Sequence, residues 1–287
     1  AGFGNLTGDG NTFVGSNAGL SDNGSSHSNN TGVGFEALKA LTTGDDNVAI
    51  GSSALLNITS GERNVAIGRQ AGLSTTSANR NTAVGYQALY NENADGDRTV
   101  AIGYQALYSQ DGDTETMGNS GFGYNSGFYN VTGTLNTWVG YQAGTGASGQ
   151  SNSQNTGVGY RAGYSITTGG NNTFLGRQTG LLITDGADNT FVGMNAGSGT
   201  VSGTKMVAIG NQSMMANVTT AANGTIAIGY EALTALTSDP GNIAIGYEAM
   251  KVHTTGGYNT VIGYQAMDDT DAGSSSKNSI HNVFIGY

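Results

Sequence analysis

The stretch Asn81-Thr-Ala-Val-Gly-Tyr-Gln-Ala-Leu89 holds a nine-residue phrase that returns along the whole chain about every seventeen residues. Its most regular element is a glycine, here Gly85, which follows an apolar residue in each of seventeen repeats. A unit this short cannot enclose its own apolar side chains, so successive units must stack on one another. The repeat therefore predicts a single continuous β-solenoid domain over residues 1–287 and, because both ends lie inside the repeat, a fragment of a longer protein.

The residues just before this anchor glycine predict a short β-strand. Counting the anchor as position 0, position −1 is always apolar and position −3 is mostly β-branched, as in Val48 and Ile50 before Gly51. Alternate residues of a strand share a face, so we expect positions −3 and −1 to line a dry interior. Position −2 then lies on a lateral surface that joins chains, where small residues alternate with Phe13, Trp138, Phe174, Phe191 and Phe284.

Two other positions are nearly constant among the repeats. Position −4 is asparagine in 13 of 16 cases, and an amide at a fixed corner can bond to the next rung and build a scaffold ladder. We expect this ladder at Asn47, Asn64, Asn81, Asn136, Asn172, Asn189, Asn242 and Asn259. Position +3 is alanine in 12 of 15 cases and belongs to an expected second, small-residue strand. The predicted fold class is all-β, a parallel β-solenoid of about 16 rungs of about 17 residues.

Composition excludes several functions. The chain has a net charge of −10 and no basic cluster, which argues against nucleic acid and anionic membranes as partners. Cysteine is absent, and no apolar run is long enough for membrane insertion. No nucleophile, base and orienting acid stand at a recognisable spacing, so we expect neither enzymatic activity nor a cofactor.

The energetics of one rung favour self-association. Each rung orders many glycine-rich residues while it buries only a few modest apolar side chains. Contacts with neighbouring copies would supply the missing burial, so we predict a homo-oligomer.

Extra length occurs only in the polar turns between one phrase and the next asparagine. Such insertions gather along one edge of a solenoid, where recognition is often found, although ordinary solvated turns are the alternative. The candidate receptor-binding residues in these turns are Asp22, His27, Asp111, Asp113, Ser148, Asp268, Asp269 and Asp271. Asp95-Gly-Asp97 and Asp111-Gly-Asp113 could share a calcium ion, but their spacing matches neither the EF-hand loop nor the calcium-binding nonapeptide repeat, so we predict no metal site. We expect His27, His253 and His281 at the surface.

Tyrosine often follows the anchor glycine, as at Tyr86, Tyr104 and Tyr124, and would form a stripe along the solenoid. Such a stripe can stack on sugar rings or pack between chains. We favour packing because the stripe continues through long regular stretches instead of marking one site.

The phrases Asn47-Val-Ala-Ile-Gly51 and Asn64-Val-Ala-Ile-Gly68, followed by Ala54 and Ala71, resemble the head repeats of trimeric autotransporter adhesins of the YadA type. The Tyr-Gln-Ala-Leu endings at 86–89 and 104–107 are also similar to repeats of phage tail fibres. The resemblance covers essentially the whole chain. It implies a left-handed parallel β-roll, a homotrimeric fibre and an adhesive or host-binding role. The longer unit and the tyrosine after glycine depart from the adhesin pattern and favour a phage fibre.

We therefore expect a non-enzymatic, extracellular fibre segment, on a phage or phage-like tail fibre, that acts as a spacer and binds a host cell-surface glycan or protein. Flanking fibre or baseplate proteins are the other expected partners. One alternative is the head of a trimeric autotransporter adhesin at the bacterial cell surface. A second is an ice-binding solenoid, whose rows of threonine would order water.

Overall fold

The computed structural model describes residues 4–21, 24–92, 97–112, 117–218, 222–268 and 280–287. Within them the chain forms three-residue β-strands and no α-helix. The sixteen strands are β1 (Thr12–Val14), β2 (Thr31–Val33), β3 (Val48–Ile50), β4 (Val65–Ile67), β5 (Thr82–Val84), β6 (Val100–Ile102), β7 (Ser120–Phe122), β8 (Thr137–Val139), β9 (Thr156–Val158), β10 (Thr173–Leu175), β11 (Thr190–Val192), β12 (Val207–Ile209), β13 (Ile226–Ile228), β14 (Ile243–Ile245), β15 (Thr260–Ile262) and β16 (Val283–Ile285).

The chain is a parallel β-solenoid, which confirms the predicted architecture. Its residues cluster into two compact units: Ala1–Tyr141 with Ser148–Ser151, and Gln142–Ala147 with Asn152–Tyr287. The first unit holds β1 to β8 and the second holds β9 to β16. In each unit successive strands pair in parallel and in chain order.

Each strand is short because the anchor glycine turns the chain away. Gly85 has a φ of 132°, and a Cβ at this position would lie 2.4 Å from the carbonyl oxygen of Gly103 in the next rung. Since no side chain fits against that backbone, only glycine allows rungs to approach this closely. The constant glycine thus sets both the end of the strand and the close stacking of the coils.

The two sides of the strand are the reverse of the sequence prediction. Position −2 faces the interior: Ala49 and Ala66 are fully buried, and so are the large side chains of Trp138 and Phe174. Position −1, which we expected in the dry interior, is exposed in many strands, including Ile50. The predicted alternation of the strand residues between two faces was correct. The prediction that positions −3 and −1 lie inside was wrong, and so was the prediction that position −2 lies at a lateral surface.

The interior accepts both alanine and aromatic residues at position −2 because, in most coils, position +4 is large where position −2 is small and small where it is large. Ala83 is followed by the buried Leu89, whereas Phe174 is followed by Gly180. A Cβ at Gly180 would lie 2.5 Å from a ring carbon of Phe174. In these coils one large side chain, from either position, fills the volume that the two positions share. Where both positions are small, as at Gly121 and Gly127, Leu107 of the preceding coil reaches into that space.

The predicted second strand is absent from the described residues. After the anchor, every second residue takes a left-handed backbone conformation, as Gln87 (φ 52°) and Leu89 (φ 53°) do. Their backbone N–H groups donate in opposite directions, that of Gln87 to Arg69 O and that of Leu89 to Ala106 O. The arm is a run of turns bonded to both neighbouring rungs, and it still places a small residue, Ala88, in the core.

The asparagines of position −4 form a buried ladder. The backbone N and Nδ2 of Asn64 both donate to Asn47 Oδ1, at 2.9 and 3.0 Å, and Asn64 Nδ2 also donates to Ala78 O at 2.8 Å. Each asparagine therefore links the rung before it to the rung after it. The same bonding to the preceding asparagine holds Asn81, Asn136, Asn172, Asn189 and Asn259.

At Thr99, where the ladder lacks an asparagine, a glutamine from a turn fills the place. Gln110 Nε2 donates to Thr99 Oγ1 at 2.8 Å and to Glu92 Oε2 at 2.9 Å. Gln110 Oε1 accepts Asn119 Nδ2 at 3.0 Å. Since all four side chains are fully buried, this polar bridge restores continuity where the short threonine cannot reach the next rung.

Candidate functional site

The outward side of the strands carries a row of exposed apolar residues. Ile50, Ile67 and Ile102 at position −1 are 40%, 39% and 37% exposed. The parallel register places like positions directly beside one another, with Ile50 opposite Ile67 and Val48 opposite Val65. We call the outward side chains of positions −3 and −1 the strand-face rows. Exposed apolar surface that continues over several neighbouring strands is uncommon on monomeric soluble proteins, which makes these rows a candidate interaction surface.

No charged residue interrupts the strand-face rows in any of the sixteen strands. Position −3 is valine or isoleucine in some strands and threonine in the others, with one serine, Ser120. The rows are therefore flat, uncharged and regular, which suits contact with another flat apolar surface.

The tyrosines of position +1 form ladders, as the sequence predicted. Neighbouring rings are stacked at centroid distances of 5.0 Å for Tyr104 with Tyr124 and 4.9 Å for Tyr247 with Tyr264. A second stacked row follows at position +5, where Tyr108 lies between Tyr90 and Phe128. Inside such a ladder both faces of a ring are covered by the neighbouring rings, so its edge and hydroxyl face outward. Sugar stacking needs an open ring face, which these interior rings do not offer.

Three acidic residues of the turns link neighbouring rungs. Asp45 Oδ1 accepts Ser28 N at 2.6 Å, and Asp239 Oδ2 accepts Gly256 N at 2.8 Å. Asp97 accepts a hydrogen bond from Asn79 N and pairs with Arg80 at 3.4 Å. Sequence reasoning missed this role, although the recurrence of Asp or Asn six residues before several anchors was a usable signal.

Surface ion pairs add a further link between rungs. Lys251 Nζ donates to the carboxylates of Glu231 and Glu248, and Gln265 Nε2 donates to Glu248 Oε2 at 2.8 Å. The hydrogen bonds from Lys251 lower the pKa of both Glu231 and Glu248. All these groups are accessible to water, so we assign them a minor role in stability.

The candidate loop residues fall in different environments. Ser148 is exposed in a turn that belongs to the first unit, where Gln150 O accepts a hydrogen bond from Val131 N at 3.2 Å and Ser151 Oγ accepts one from Thr132 N at 3.0 Å. Asp111 and Asp268 are partly buried, and Asp268 borders a depression of about 340 Å³. Asp22, Asp113, Asp269 and Asp271 lie outside the described residues.

The expected surface position is wrong for two of the three histidines. His27 and His253 are fully buried, and only His281 is exposed. The His27 ring meets the edge of Phe13 at a centroid distance of 5.9 Å, and burial lowers the pKa of its imidazole. His253 Nε2 bonds to Gly256 O at 3.0 Å. The side chain of His27 therefore belongs to the interior and not to a receptor-binding surface.

Among the described residues, no three histidine or acidic side chains come together in a group that could hold a metal ion. The same part of the chain contains no helix with the length and apolar character that a bilayer span requires.

No protein-family model, curated protein or solved structure matches this chain. The resemblance to YadA-type head repeats and to tail fibre repeats therefore rests on the sequence phrases alone.

Proposed function

We propose that this chain is a non-enzymatic segment of a homotrimeric, extracellular fibre, which acts as a spacer and as a host-binding element on a phage or phage-like tail fibre. The observation that carries the proposal is the exposed aliphatic surface of the strand-face rows. A single chain leaves this surface in water, whereas a fibre of parallel copies covers it along its length.

The area of this surface suits a stable interface. With two outward side chains, each strand offers roughly 100 Å² of apolar surface, so eight strands offer on the order of 800 Å², the area that one partner buries in a standard interface. Identical rows on each copy are self-complementary, because the repeat of the rungs is the same in every chain. The number of three copies and the left-handed coil are what the YadA-type resemblance implies.

The decisive experiment is the mass of the assembled particle in solution, measured by sedimentation or light scattering. We expect three copies for the parent chain and single copies for the variant Ile50→Asp/Ile67→Asp, which places two carboxylates in the strand-face rows. The matched control is Thr43→Asp/Ser60→Asp, which adds the same charge to exposed turn positions of the same two coils. A monomeric parent chain at micromolar concentration would refute the proposal.

Host binding is the second half of the proposal, and the exposed turn around Ser148 is the described insertion best placed to serve it. Binding of the assembled particle to host cells, compared with a variant whose residues 147–150 are shortened to the common turn length, tests this half. Unchanged binding would remove this turn as a receptor-binding element.

An ice-binding solenoid is the second candidate, because the strand-face rows also carry outward threonines at regular spacing, as at Thr173 and Thr190. A monomer that produces thermal hysteresis would favour this function over a fibre. A bacterial adhesin would share the fibre architecture, and it differs in having a membrane-anchor barrel at the end of the full-length protein.

A further inference from the structure

Two arginines in the second unit form an aromatic, positively charged surface on a chain that is otherwise acidic. Arg161 lies over the rings of Tyr160 and Tyr164, at 5.3 and 5.0 Å from their centroids. Arg177, from the next rung, lies 5.8 Å from the Tyr160 centroid. We call these four residues, together with Gln142, the arginine–tyrosine patch.

The guanidinium of Arg161 is held in place. Its Nε donates to Gln142 Oε1 at 2.8 Å, and the two tyrosines fix its plane by cation–π contact. This hydrogen bond uses Nε and not the two terminal nitrogens of the guanidinium. The parallel N–H groups of those nitrogens match the two oxygens of a carboxylate or the oxygens of a sulfate. A preorganised fork loses less entropy on binding than a free arginine does.

No acidic side chain neutralises the patch. The ion pairs of the described residues involve neither Arg161 nor Arg177, although the chain carries twice as many acidic as basic residues. The sequence explains this, since no aspartate or glutamate occurs between Glu115 and Asp185. The local potential is therefore positive, in a protein of net charge −10.

The position of the patch keeps it apart from the strand-face rows. Its residues occupy positions +1, +2 and +5 of their coils, beyond the anchor glycines Gly159 and Gly176. Arg177 and Tyr160 are exposed, and Arg161 and Tyr164 are half-buried. A ligand can thus reach the patch while the strand faces are covered by other copies.

We propose that the arginine–tyrosine patch binds an acidic saccharide, with the anionic group of one sugar held by the guanidinium fork of Arg161 and by Arg177. Tyrosine edges and the Gln142 amide supply the apolar and polar contacts that a sugar ring needs. This inference rests on the proposed host-binding function and names the chemistry of the ligand.

The test is calorimetric titration of the assembled full chain with three probes of equal length: an oligogalacturonate, its neutral methyl ester, and a sulfated oligosaccharide. We expect binding of at least one charged probe, weakening with added salt, and no binding of the ester. Arg161→Gln/Arg177→Gln should weaken it about tenfold or more, and Arg161→Lys should weaken it in part because lysine keeps the charge without the fork.

The matched control is Arg63→Gln/Arg69→Gln, which removes the same charge and includes an arginine that lies over only one ring, that of Tyr86. This control should bind like the parent. Preference for the carboxylated or the sulfated probe identifies the anionic group, and either preference supports the proposal.

Equal binding of the neutral ester, or equal loss in the control, would overturn the proposal. So would a lower assembled mass for Arg161→Gln/Arg177→Gln, since the arginines would then belong to the contact between copies. If no charged probe binds while the particle remains trimeric and attaches to host cells, this inference fails and the proposed fibre function stands.

Discussion

The coils that contain strands β3 and β10 fill the same interior with different residues. The β3 coil places the small Ala49 inside and adds Leu55 from the following turn, whereas the β10 coil places Phe174 inside and has Gly180 at the equivalent turn position. On the outer side both strands carry an exposed aliphatic residue, Ile50 or Leu175. The inner volume is therefore conserved by exchange between two positions, while the outer residue is independent of that exchange.

The largest expected effect comes from removing the large inner side chain of the β10 coil. Phe174→Ala removes a fully buried ring and should lower the free energy of unfolding by about 3–5 kcal/mol. Adding Gly180→Leu recreates the Ala83 and Leu89 arrangement, because Gly180 and Leu89 share nearly the same φ, 56° and 53°. The double variant should regain most of the loss in urea unfolding.

Gly180→Leu alone is the control for this pair. It should destabilise the chain, since its side chain would meet the Phe174 ring. If the losses of unfolding free energy in the two single variants add up to the loss in the double variant, the two positions do not share one volume. The comparison between the coils would then be wrong.

The stability that an asparagine of the ladder contributes should be the same whether its coil has alanine or phenylalanine at position −2. Asn47→Ala in the β3 coil and Asn172→Ala in the β10 coil each remove a side chain that bonds to one buried backbone carbonyl and one buried backbone N–H of a neighbouring coil. Each should cost about 1–3 kcal/mol of unfolding free energy. Costs that differ severalfold between the two sites would show that the filling of the core changes the strength of the ladder.

The outward residues should contribute little to a single chain. Ile50→Ser and Leu175→Ser should each lower the unfolding free energy of the unassembled chain by roughly 1 kcal/mol, well below the loss from Phe174→Ala, because the two residues are already 40% and 48% exposed. The same changes should weaken assembly, measured as the concentration at which the particle dissociates. A loss as large as that of Phe174→Ala, in a chain that stays monomeric, would place these residues in the core.

The smallest effect is expected at His27, the titratable residue beside the interior ring of Phe13. Burial lowers the pKa of His27 in the folded chain below its ordinary value of 6.5. As pH falls below about 6.5 the unfolded chain takes up this proton more readily than the folded chain, so stability is full above this pH and declines beneath it. Thermal melting of the parent and of His27→Gln between pH 7.5 and 5 measures the difference, and a parent midpoint that rises as pH falls would contradict it.

Much of the scaffold was visible in the sequence. The spacing of the glycines gave the solenoid and its coil length, because only a residue without a side chain allows Gly85 and Gly103 to stack so closely. The asparagine positions indicated a ladder, because one amide can reach two neighbouring rungs. The position of His27 could not be read in this way, since burial of a turn residue depends on how the next coil covers it.

The sequence by itself determined the repeat, the strand, and the period of two that separates its inner and outer residues. Only the tertiary structure decided which of the two sides is the interior. The reason is geometric: positions −2 and +4 share one interior volume, which alanine with leucine, or phenylalanine with glycine, fills in most coils. The more uniformly aliphatic positions are left outside, where a partner can cover them.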